Sequence, residues 1–223
     1  MSEDRQPILK RLLILLALIN LAALGARLWP WPVILYQLDD MSAAVDPAIT
    51  MAAYIGISFW IGGTRTPEMR KALFSAGVIG IAAGLVLAGE ILLGTQTPTD
   101  DSSRPTQILY ALMGVAIVLW GIAGFRAKRA GQTVGGAALC SMWSAAFSCQ
   151  IACSALLAGS YLSMSPGQTA DPWKQYQGLA IGAEAVQGLV KSLLTASGYL
   201  LLGPIVAAVA GLIFGSFGKP AKD

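Results

Sequence analysis

Residues 72–94 read ALFSAGVIGIAAGLVLAGEILLG, and the rest of the chain is organised around this stretch. As a helix its 23 residues extend about 34 Å, enough to cross a hydrocarbon core of about 30 Å. Ala72, Ala76, Gly80, Gly84 and Ala88 recur at every fourth position. That spacing predicts a small-residue seam against which a second helix backbone can lie closely. Glu90 is the one ionisable residue of the stretch and falls near its end.

Working outward, the whole chain has the same character. It is 55% hydrophobic and 12% charged, about half the charge of an ordinary soluble domain. Mean hydropathy is +0.63. These values predict an all-α, polytopic membrane helix bundle forming a single transmembrane domain. The net charge of +3 comes without a basic run or an aromatic-basic patch, so nucleic-acid binding has no support. Histidine is absent, which removes imidazole ligands, histidine proton relays and Ser-His or Cys-His nucleophile pairs. Cys140, Cys149 and Cys153 form neither an even set nor a CxxC pair. They read as small packing residues in a helix seam.

Six spans are expected, at about 8–28, 47–63, 72–94, 108–125, 134–161 and 196–217. The apolar run of the first, Leu12 to Ala26, follows Lys10-Arg11 and stops at Arg27 and an aromatic cluster, Trp29 to Pro32. Ala23-Leu24-Gly25 offers a signal-cleavage site, but an uncleaved span is the favoured reading. Residues 174–217 are too long for one span and lack a polar turn for two. Gln177, Glu184, Gln187, Lys191 and Thr195 make one polar stripe there, which predicts an amphipathic interfacial helix at 174–195 before the sixth span. In that span Gly203-Pro204 predicts a kink. The alternative, a span at 178–202 with a re-entrant 205–217, puts Lys191 near mid-membrane at a cost of about 2.5–3.5 kcal/mol.

Basic residues predict the orientation. One side holds Arg5, Lys10, Arg11, Arg65, Arg70, Lys71, Arg126, Lys128, Arg129, Lys219 and Lys222, whereas the other holds only Arg27, Arg104, Lys174 and Lys191. Both termini are therefore expected in the cytoplasm, in a cell (inner) membrane. Residues 39–94 and 100–161 also look like two copies of one helical hairpin, each opened by an Asp pair, with Trp60 matching Trp120. The second copy carries its own ladder, Ala137, Ser141, Ala145, Cys149 and Cys153, and the sixth span a shorter one from Gly203 to Gly215.

The candidate functional residues are few. Glu90, Glu184 and Lys191 are expected at the outer level, Glu90 as a carboxylate reaching the interface and the other two on a solvated helix face; the alternative pairs Glu90 with Lys191 or, in competition, with Arg27. Asp39-Asp40 and Asp100-Asp101 show no metal-ligand spacing, and no nucleophile can be named, so neither a metal, a cofactor nor an enzymatic activity is expected. Two function classes remain. One is an accessory or assembly protein of the lipid bilayer, holding a membrane partner or a second copy through the seam of Ala76, Gly80, Gly84 and Ala88. The other is a small carrier or channel built on the outer charges.

Overall fold

The computed structural model describes residues 6–28, 42–61, 66–94, 103–162 and 181–218. These residues are all-helical. They form α1 (Gln6–Leu28), α2 (Ser42–Ile61), α3 (Pro67–Gly94), α4 (Ser103–Arg129), α5 (Val134–Leu162) and α6 (Ile181–Phe217). Five helices are long and apolar enough to cross a membrane, whereas the apolar part of α2 is shorter, Ala48–Ile61. At 1.5 Å per residue it covers only about 21 Å. The aspartate pairs and the aromatic cluster at 29–32 lie outside the described residues.

Local chemistry sets the helix ends. Thr66 caps α3 by accepting the Met69 N–H at 3.3 Å, with Pro67 in the first helical position where no N–H is needed. Thr133 caps α5 in the same way through the Gly136 N–H at 3.1 Å. Between them α4 ends on Gly131 at φ 83°, with Gly131 N–H bonded to the Lys128 carbonyl and Gln132 N–H to that of Ala127. This pair of bonds is the Schellman stop, and glycine meets its left-handed φ without strain.

The centre of the bundle is α5. In its apolar window 72% of residues are buried, against 28–44% for the other four long helices. Every residue from Trp143 to Gln150 is buried, as a helix sheathed on all sides requires. Small residues let the neighbours approach it. A Cβ at Gly80 would meet the Ser144 carbonyl oxygen, and one at Gly84 would lie 2.9 Å from the Ser148 Cα. The constant offset of 64 between these partners means that α3 and α5 run parallel. On the opposite flank Gly203 meets Cys149, Gly211 meets Ser141 and Gly215 meets Ala137, so α6 is antiparallel to α5. The ladders of α5 and α6 are thus two sides of one seam.

Three features bear on the expectations. Helix α6 is unbroken through residues 195 and 196, so the described part of the 174–195 segment extends the helix ahead of the apolar span Leu194–Phe217 rather than forming a separate helix. Without a turn or glycine break at that point, backbone hydrogen bonding propagates more cheaply than it restarts. Pro204 lies within α6 and leaves the Leu200 carbonyl without its helical donor; the Tyr54 hydroxyl of α2 donates to that carbonyl at 2.7 Å. The two hairpins also differ in environment, since Trp60 is 65% exposed whereas Trp120 is 4% exposed.

Candidate functional site

A cavity of about 380 Å³ lies between α4 and α6, with Leu87 of α3 contributing to its wall. Met113, Ile117 and Trp120 form one side, and Gly198, Tyr199 and Leu202 the other. Its wall is almost wholly carbon. Met113, Ile117 and Leu202 are themselves partly exposed on the flank of the bundle, so the mouth opens sideways between the two helices. A volume of this size falls in the ~300–1,000 Å³ range of small-ligand pockets.

The local sequence explains why the space is there. Gly198 has nothing within 4 Å of where a Cβ would sit, so α6 presents bare backbone to the cavity at that point. The Trp120 indole N–H donates to the Ser148 hydroxyl at 2.9 Å, and the Ser141 hydroxyl donates to the Trp120 carbonyl at 2.7 Å. These bonds fix α4 to α5 and hold the large ring in place. On the α6 side, the Tyr54 hydroxyl secures the turn broken by Pro204, directly below Tyr199.

Glu90 is not part of the cavity wall but lies one turn beyond Leu87 on α3, on the side remote from the basic loops. It follows Leu87 by three residues and so shares its helix face. The Glu90 Oε2 atom is shielded from solvent and has no hydrogen-bond partner among the described residues. The side chains of Arg27, Glu184 and Lys191 lie outside the described residues. The backbone of Lys191 is eight residues before Tyr199, about 12 Å further along α6, so a Glu90–Lys191 pair needs both side chains extended.

The seam residues are all placed. Ala76, Gly80 and Gly84 are buried and Ala88 is half-buried, with both glycines facing α5. Cys140, Cys149 and Cys153 are buried free thiols, and Cys149 lies against Gly203. Among the described residues no three His, Cys, Asp or Glu side chains come together as a metal site.

Sequence reasoning passed over a buried amide cluster. The Asn20 side-chain amide of α1 donates to the Gln150 carbonyl at 2.9 Å and to Gln150 Oε1 at 2.7 Å, and the Ser154 hydroxyl donates to Asn20 Oδ1 at 2.7 Å. The signal was available, because a lone amide in an apolar span looks for a partner on another helix. At the basic end, Lys10 Nζ lies 4.5 Å from the Phe59 ring and Met69 adjoins Gly136. Lys128 adjoins Gly218 there as well.

Comparison with protein-family models, with curated proteins and with solved structures finds no match for this chain.

Proposed function

We propose that this chain is a non-enzymatic, multi-pass protein of the cell membrane that binds the apolar chain of an amphiphile from the side, in the cavity between α4 and α6. The observation that carries this reading is the carbon-lined, sideways opening next to Glu90. What surrounds the mouth in a bilayer is hydrocarbon, so the natural occupant is a chain rather than a hydrated solute. The reading takes the carrier alternative of the sequence and narrows it to lateral binding. Clustering of Lys10, Arg70, Lys71, Arg126, Lys128 and Arg129 at one end supports cytoplasmic termini, and alternating helix directions support α2 as a sixth, short span.

The assembly reading keeps one observation in its favour, on a different surface. The seams of α3 and α6 are filled from within by α5, so they are not free for a partner. Helix α2 instead exposes Ala52, Ala53 and Gly56 between Ile49 and Trp60. A membrane partner or a second copy would pack there.

The test of lateral binding uses the protein in phospholipid nanodiscs and a brominated single-chain amphiphile. Tryptophan quenching should contain a saturable component, because Trp120 lines the cavity. Gly198→Phe, at a position where an added Cβ meets nothing within 4 Å, should place its ring in the cavity and remove that component while leaving the melting temperature unchanged or raised. Saturable quenching that survives Gly198→Phe would count against the cavity.

A further inference from the structure

We infer that Glu90 receives the primary ammonium group of a single-chain amine whose hydrocarbon fills the α4–α6 cavity. This rests on the lateral-binding reading above and adds the chemistry of the ligand's polar end.

Helix geometry places the carboxylate one turn beyond the cavity wall. From α3, Leu87 lines the space and Glu90 follows it on the same face one turn on. From α6, Thr195 and Tyr199 line the outer part of the same space. Glu90 Oε2 has no donor among the described residues, although it is shielded from water. An acceptor in that position loses its hydration and gains nothing in return, and a charged one loses more. The nearest described base on the same helix is Lys71, about 28 Å away along the axis, at the opposite end of the bundle.

The missing group is thus a donor and a positive charge together. An alcohol supplies only the donor, and a quaternary ammonium supplies only the charge, since it has no N–H. A primary ammonium supplies both. Depth narrows the class further. Glu90 lies four residues inside the end of α3, about 6 Å below it. In an ethanolamine phospholipid the phosphate stands between amine and chain, so an amine reaching Glu90 would bring that anion to the carboxylate. An amine carried directly on the chain avoids this repulsion.

The experiment is displacement of the brominated chain by dodecylamine, dodecanol and dodecyltrimethylammonium in phosphatidylcholine nanodiscs. Dodecylamine should displace it at about tenfold lower mole fraction than the other two, the scale of one partly buried charged hydrogen bond. Glu90→Gln should bring the amine to the level of the alcohol and leave the alcohol unchanged. Lys191→Met and Arg27→Met should leave the amine preference as it is. Equal displacement by all three compounds in the wild type would overturn the inference while leaving lateral binding intact. So would a preference that persists in Glu90→Gln, or one that emerges only once Lys191 or Arg27 is replaced, since that base would then be the internal partner of Glu90. Phosphatidylethanolamine competing as well as dodecylamine would overturn the direct-amine class. Absence of saturable quenching in the wild type removes lateral binding itself, and this inference with it.

Discussion

Gly80→Ala is the sharpest test of how this bundle is packed. The added Cβ would meet the Ser144 carbonyl oxygen and lie 2.9 Å from the Ser144 Cα. Optimal carbon–carbon separation is about 3.5–4.0 Å, so α3 and α5 must part by about 0.6–1.1 Å. The obstacle is backbone in the most enclosed helix of the molecule, so no side-chain rotation relieves it. Alanine gains about 1 kcal/mol of helix propensity over glycine, while overpacking of this kind costs about 1–3 kcal/mol. The net expectation is a loss of up to about 2 kcal/mol, or up to about 8 °C in melting temperature for a chain of this length. Gly89→Ala on the same helix meets nothing within 4 Å and keeps the propensity gain, so it should be neutral or stabilising. Thermal unfolding of both variants in mild detergent gives the comparison. Equal melting temperatures for the two would refute the parallel α3–α5 seam, because position 80 would then face lipid as position 89 does.

Two further outcomes can be measured. Tyr54→Phe removes the donor to the Leu200 carbonyl and should cost about 1–3 kcal/mol. Pro204→Ala in that background returns a helical N–H to the same carbonyl, so thermal unfolding of the double variant should show most of the loss recovered and the two changes should not add. Reporter fusions at Pro67, Ala130 and the C-terminus should read cytoplasmic and those at Ser103 and Gln168 external; an external C-terminus would break the alternation of six spans.

The site was only partly legible in the sequence. Glu90 stood out because a carboxylate in an apolar run is conspicuous whatever surrounds it. Nothing in the sequence marked the cavity beside it, since Met113, Gly198 and Leu202 are ordinary membrane residues. Their meaning arises from where α4 and α6 diverge, and no local pattern encodes a space between two helices. Tyr54 was invisible for a similar reason. Pro204 announced a freed carbonyl, but the donor that satisfies it is 146 residues distant.

What the sequence determined alone was the helical class and the membrane-like apolar lengths. These follow from local chemistry, runs of apolar residues long enough to span, whereas the Thr66 and Thr133 caps and the Gly131 stop that set the helix ends emerged only from the structure. The small-residue ladders were equally visible as periodicity. Tertiary structure alone decided which ladder meets which. The α5 ladder from Ala137 to Cys149 faces α6, while Gly80 and Gly84 of α3 pack against another side of α5. It also decided that α5, rather than the stretch at 72–94, lies at the centre. The physical reason is that a glycine permits a close approach without selecting a partner. Selection comes from fitting all the helices at once around α5, where Ser144, Ser148 and Cys149 each meet a different neighbour.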